Sequence, residues 1–273
     1  MAISRRTAIK GVLATTVGAL TGAGAYGMAY ERHRIGVTEA TLDVVGLPPA
    51  FDGLRIGFLT DIHHSALVPA EDIATAVALA NNAKPDMMVL GGDYVTFGDR
   101  AFVQPVAELL SVLRAPLGVF AILGNHDDDR DMPAALAAQH ITVLKDARTS
   151  LQIGGDTLEL AGVRFWTRRP QDIARVLRRA EHPVLLLAHD PRRLAEAAEL
   201  KVPGVLSGHT HGGQVVLPGV GALARRRFQV LSGLGSRGST SIFVSRGIGT
   251  VYVPVRFNCP PEVALVTLKR RAA

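Results

Sequence analysis

Eight residues of the kinds that bind metals or move protons stand in five short clusters: Asp61 and His63; Asp93; Asn125 and His126; His189; His209 and His211. Of the nine histidines, five lie in these clusters. His64 adjoins one of them, and His33, His140 and His182 fall elsewhere and read as surface residues. Two carboxylates, one amide oxygen and four imidazoles suffice to hold a pair of divalent ions. Such mixed nitrogen and oxygen donors suit Mn, Fe, Zn or Co better than Ca. The last cluster, Gly208-His209-Thr210-His211-Gly212-Gly213, is the most compact. In an extended segment alternate side chains share a face, so His209 and His211 are expected to aim into one cavity. The flanking glycines let the backbone follow a tight path there.

Each cluster follows an apolar run. Residues 54–60 lead into Asp61, and Met87-Met88-Val89-Leu90 leads into Gly91-Gly92-Asp93. Residues 118–123 lead into Gly124-Asn125-His126-Asp127, residues 184–188 into His189-Asp190, and residues 204–206 into the last cluster. Short apolar runs of this kind are buried strands. Between them, helical spacing of apolar residues predicts helices over 71–82, 101–113, 132–139, 172–179 and 192–199. Pro133 suits a first helical turn. Gly154-Gly155-Asp156 between two alternating runs predicts a hairpin. A first edge strand is expected at 41–45, and the stretch from 215 to 268 reads as β-rich with many glycines. Strand, polar cluster and helix in repetition make an α/β fold with ligands outside the carboxyl ends of the strands. The late β-rich part calls for a second sheet packed on the first.

The 273 residues with 48% hydrophobic content can bury a sizeable core. No internal repeat or linker divides it, so a single catalytic domain over 51–273 is the simplest organisation, with a linker and edge strand at 31–50. The net charge of +6 falls to +3 without the first 25 residues, and no Lys/Arg tract interleaves with aromatics, so no nucleic-acid partner is expected. The lone cysteine, Cys259, excludes an intramolecular disulfide and any cysteine-based metal site. Residues 1–30 pair a basic start (Arg5, Arg6, Lys10) with an uncharged Ala/Gly/Thr-rich stretch. They read as a leader ending near Ala23-Gly24-Ala25 or as a retained anchor. Ser4-Arg5-Arg6 followed by Ile9-Lys10 resembles a twin-arginine export signal, with Ala8 where a bulkier residue is usual.

Order and spacing of Asp61-x-His63, Gly92-Asp93, Gly124-Asn125-His126-Asp127, His189 and Gly208-His209-x-His211 resemble the five blocks of the calcineurin-like metallophosphoesterases, across residues 54–214. The tail Val244-Ser245-Arg246-Gly247, Pro254-Val255-Arg256 and Pro261-Glu262 is similar to that of exported members with twin-arginine signals. The resemblance implies a four-layer α/β/β/α sandwich of two mixed β-sheets. It implies two divalent ions, manganese among the candidates: Asp61, His63 and His211 on one, Asn125, His189 and His209 on the other, and Asp93 bridging them. Ions ~3.5–4 Å apart lower the pKa of a shared water, and the resulting hydroxide attacks phosphorus in line. His126, no ligand, would protonate the leaving oxygen. Asp127 would orient His126 or start the following helix.

The implied reaction is hydrolysis of a phosphodiester, phosphomonoester or pyrophosphate bond. The export signal turns attention to envelope substrates, a phospholipid or a lipid-linked UDP-sugar. The implied location is periplasmic or extracytoplasmic and membrane-associated, with the twin-arginine translocase a partner during export. A general nucleotide phosphodiesterase is the enzymatic alternative, and a non-catalytic metal-binding scaffold the alternative from another class. A scaffold needs the ligands but not His126. Arg225, in the run Arg225-Arg226-Arg227, and Arg246 are candidate phosphate contacts. The first alternatively lies in a solvated loop, and Arg246, like Arg256, alternatively pairs with a buried carboxylate. Cys259 reads as structural.

Overall fold

A computed structural model describes residues 5–222 and 227–271. The chain runs β1 (Gly36–Val45), β2 (Arg55–Leu59), β3 (Met87–Leu90), β4 (Val119–Ala121), β5 (Thr142–Val143), β6 (Ala147–Ile153) and β7 (Asp156–Val163). It continues with β8 (Val184–Ala188), β9 (Gly204–Ser207), β10 (Val216–Leu217), β11 (Gly221–Ala222), β12 (Gly233–Arg237), β13 (Thr240–Val244) and β14 (Glu262–Arg271). The helices are α1 (Arg5–Ala29), α2 (Ala70–Asn82), α3 (Val103–Leu110), α4 (Asp131–Ala138), α5 (Pro170–Leu177) and α6 (Leu194–Glu199). One sheet has the order β1-β14-β2-β3-β4-β5 and the other β12-β13-β9-β8-β7-β6, six strands each. Both are mixed: β14 is antiparallel to β2 but parallel to β1, and β12 and β6 are antiparallel to their neighbours.

Period-two alternation sorts the apolar side chains into layers. Ile56, Phe58, Met87 and Val89 of the first sheet meet Leu158, Leu160, Leu185, Leu187, Leu206 and Phe243 of the second. The opposite faces take Leu59, Met88 and Leu90 to α2, α3 and α4, and Ala161, Leu186, Val205 and Ile242 to α5 and α6. The result is the four-layer α/β/β/α sandwich. Strands buried on both faces read as continuous apolar runs, which is why β3 and β8 have the boundaries expected from sequence.

Other expectations shift. The helix expected over 101–113 is divided: Arg100–Phe102 forms a 3-10 turn whose N-cap, Asp99, accepts from the Ala101 N–H, and α3 ends at Leu110. The edge strand is ten residues long instead of five, because it pairs over its whole length with β14. The sandwich therefore includes residues 36–45, ahead of the boundary expected at 51. The N-terminal stretch forms α1, and no described helix is long and apolar enough to cross a membrane. Its far end packs on the domain. The Arg256 N–H donates to the Gly27 carbonyl (3.2 Å), and the Tyr26 and Phe257 rings meet edge to face at 6.5 Å.

Candidate active site

The five clusters converge. Asp61 and His63 follow β2, Asp93 follows β3, and Asn125 and His126 follow β4; His189 and His209–His211 follow β8 and β9. The two sheets thus contribute from their carboxyl ends to one point at the seam of the sandwich. Asp61, His63, Asp93, His189 and His211 are almost fully buried.

Local backbone explains how short loops aim so many side chains inward. Asp61, His63, Asp93, His209 and His211 all have left-handed backbone, with φ from 51° to 71°. Non-glycine residues seldom adopt it, and it is tolerated where the surroundings over-determine it. Here they do. The Asp61 and Gly249 turns are tied by the Gly249 N–H donating to the Asp61 carbonyl (2.7 Å). The Asp61 carboxylate accepts from the His209 N–H at 2.9 Å and from the Thr60 hydroxyl at 2.9 Å. Gly208 must be glycine: a Cβ there would lie 2.3 Å from Asp61 Oδ2. Gly92, at φ +94°, likewise lets Gly124 approach, where a Cβ would stand 2.4 Å from the Gly124 nitrogen.

The expectation that His209 and His211 share one face of an extended segment is corrected. β9 ends at Ser207, and Thr210 is helical between the two left-handed histidines. The turn splays the rings. His211 stacks near His63 with centroids 4.9 Å apart, and His209 lies 5.2 Å from His189.

Donor atoms gather in three overlapping groups, one of which, His63 with Asp93 and His126, links the other two. In one of these two, His63 Nε2 and His211 Nε2 are 3.2 Å apart, and His211 Nε2 is 3.3 Å from Asp61 Oδ1. In the other, His189 Nε2 is 3.0 Å from Asp93 Oδ2, with His209 close by. Asp93 Oδ2 is also 3.6 Å from His63 Nε2, so it faces both groups. Donors bound to one ion at about 2.1 Å stand about 3 Å from each other, the spacing observed. Asn125 Oδ1 and His209 Nδ1 are buried without a hydrogen-bond partner, whereas buried polar atoms are almost always satisfied. Lone pairs left unused around carboxylates fit divalent metal ions.

The electrostatics agree. Burial pushes the His63 imidazole down to about 3 and the His209 imidazole to about 4, so both are neutral near pH 7. Burial acts the same way on His189, but Asp93 and then Asp61 outweigh it and raise it to about 10. Burial would raise Asp93 too, yet the charge and hydrogen bond of His189 hold it well below the usual carboxylate range. The His189 Nδ1–H donates to the Gly91 carbonyl (2.7 Å), which turns Nε2 toward the cluster.

His126 stands beside the first group, its ring 4.9 Å from that of His63. Its Nδ1 accepts from the Phe97 N–H (3.0 Å), leaving the proton of the neutral ring on Nε2. Asp127 does not make that contact. Its oxygens accept from the N–H groups of Asp93 (2.7 Å), Tyr94 (2.8 Å) and Gly124 (2.8 Å), tying the second cluster to the third. Nor does it start the helix: α4 begins at Asp131, and Asp128 accepts from the Asp131 N–H. Arg246 is engaged by Glu262 (2.5 Å) and Thr38 (2.9 Å), and Arg225 lies outside the described residues. His64 is buried, its Nδ1–H donating to the Val68 carbonyl. Arg256, with no exposed surface, pairs with no carboxylate among the described residues. Its guanidinium donates to the carbonyls of Arg246, Gly247, Gly249 and Cys259. It thereby fixes the loop whose Gly247 and Gly249 pack on Asp61 and His63. Gln214, directly after the last cluster, ties the same loop by accepting from the Val251 N–H and donating to the Val253 carbonyl. Its place after Gly212-Gly213 was the available signal; its side chain had no motif to mark it.

A two-sheet sandwich presenting this mixture of carboxylate, amide and imidazole at its strand ends suits metal-dependent hydrolysis of phosphoric esters. Comparison with known proteins agrees: the profile of the calcineurin-like phosphoesterases matches residues 54–213, and the chain belongs to that family. It is 35% identical to the metallophosphoesterase YkuE of Bacillus subtilis, over 98% of both chains. It is 34% identical to the phosphodiesterase YaeI of Escherichia coli, over 78% of this chain and 82% of that one. The NAD nucleotidase NadN of Haemophilus influenzae aligns with a TM-score of 0.48 at 12% identity, over 71% of this chain and 45% of the other.

Proposed function

We propose that the protein is a phosphodiesterase that uses two divalent ions and His126 as general acid. The observation that carries this reading is the pair of converging donor groups with Asp93 between them. Asp61, His63 and His211 would hold one ion; Asn125, His189 and His209 the other; Asp93 both. When bound, such a pair neutralises phosphoryl oxygens and supplies a water of lowered pKa. The remaining work falls to the chain. Asp93 sets the separation of the two halves. The Phe97 N–H fixes the His126 tautomer and leaves Nε2–H free to donate. His126 would protonate the departing oxygen from Nε2, the ring nitrogen that the Phe97 contact leaves protonated. The likeness to YaeI favours a diester over a monoester. An envelope lipid or lipid-linked UDP-sugar remains the proposed substrate class and manganese the first ion to supply. Export by the twin-arginine route, a periplasmic or membrane-associated location and a role for the Arg225 loop belong to the same proposal.

The test is His126→Gln. Turnover of bis(4-nitrophenyl) phosphate should fall about 10²–10⁴-fold while metal content stays at the wild-type level. Full activity in that variant would remove His126 from the reaction.

A further inference from the structure

Phe97 and Tyr252 are two bulky aromatics on separate loops, both with left-handed backbone, φ +52° and +63°. For such residues that conformation is a genuine outlier. Both residues are exposed, at 67% and 76%. The two rings meet at 5.7 Å, and the Phe97 ring lies 4.9 Å from the His126 imidazole. The pair forms an apolar corner on the side of the site where the leaving oxygen is protonated.

The opposite side differs. His209 is walled by Phe165 at 5.2 Å and Phe228 at 5.9 Å. Arg168 lies over Phe165 and Arg192 over Phe228. Among the described residues no guanidinium stacks on Phe97 or Tyr252. Guanidinium groups thus stack on the rings of the His209 side and, among the described residues, not on those of the His126 side. The 55° tilt between the Phe97 and Tyr252 rings makes an open corner and no parallel slot. Such a corner takes an uncharged group by surface contact and stacking.

We propose that Phe97 and Tyr252 form the leaving-group subsite, and that the preferred substrates are phosphodiesters whose departing alcohol carries a large uncharged planar or hydrocarbon group. This rests on His126 as the acid. The test compares methyl phosphodiesters of phenol, 2-naphthol and 4-octylphenol, whose leaving groups are similarly acidic, on the manganese-loaded full chain. A 4-nitrophenyl methyl diester reports turnover itself. The naphthyl or octylphenyl diester should exceed the phenyl diester in kcat/KM by about tenfold. A naphthyl gain identifies a planar ligand, and an octylphenyl gain a hydrocarbon chain. In Tyr252→Asn and Phe97→Asn, whose new residue suits the left-handed backbone, that ratio should fall by about threefold or more. Tyr252→Trp should restore or raise it. Equal kcat/KM for the three diesters, or ratios untouched by both variants, would overturn the subsite while leaving the phosphodiesterase reading in place. No turnover of any of the four would overturn both.

Discussion

Asp93→Asn replaces one oxygen at the point where the two donor groups meet. The asparagine Oδ1 can still accept the His126 N–H, which Asp93 accepts at 2.8 Å, so the loop should keep its shape. The lost charge should lower metal content on both sides, because Oδ2 faces His63 and His189 alike. Elemental analysis checks it, and two full equivalents in the variant would show that Asp93 does not bridge. At this scale the sequence was most informative about residue type. Paired carboxylates, an amide and imidazoles at the ends of apolar runs announce a metal site by residue type alone. Partners were less legible. Asp127 beside His126 looked like a carboxylate orienting an imidazole, yet it receives three backbone N–H groups. Spacing along the chain does not say whether a carboxylate will meet a side chain or a backbone. The exposed aromatics Phe97 and Tyr252 carried no sequence signal, since their meaning lies in a ring contact across 155 positions between loops.

Loops do at the next scale what single residues cannot. Gly208→Ala would drive a methyl group against Asp61 Oδ2 and Thr60 Oγ1, both 2.3 Å from the added carbon. Metal content should drop although no ligand is altered, and unchanged metal content would mean that the β9 turn yields freely. Arg256→Met should leave the four carbonyls bound by the guanidinium without a donor and cost roughly 1–3 kcal/mol in a urea titration. Arg256→Lys should recover only part, because an ammonium lacks the planar fork. Stability equal to wild type in both variants would deny the loop this anchor. The helices and buried strands were legible because apolar periodicity is local. The left-handed turns at Asp61, His63, His209 and His211 were not. They are imposed by contacts from distant segments such as Gly247 and Gly249, so an extended reading of His209–His211 was the best local pattern and was wrong.

In the whole molecule two sheets are clamped by one apolar layer, and the site exists only where their ends coincide. Phe58, 1% exposed, packs edge to face on Phe243 of the other sheet at 6.5 Å. Phe58→Ala should cost roughly 3–5 kcal/mol in denaturant unfolding. Ions that bind the folded chain alone stabilise it by about 3 kcal/mol at a hundredfold excess over Kd, so chelation should lower Tm by several degrees. The alternating strand and helix pattern made the α/β class legible. The insertion of β14 between β1 and β2 was not, because nothing local says that the two ends of a chain will pair. The central claim, a dinuclear centre split between the two sheets, is tested most directly by anomalous diffraction from crystals of the manganese-loaded protein. Two peaks are expected, one among Asp61, His63 and His211 and one among Asn125, His189 and His209, with Asp93 touching both. A lone peak shared by His209 and His211, or no peak at the strand ends, would contradict it.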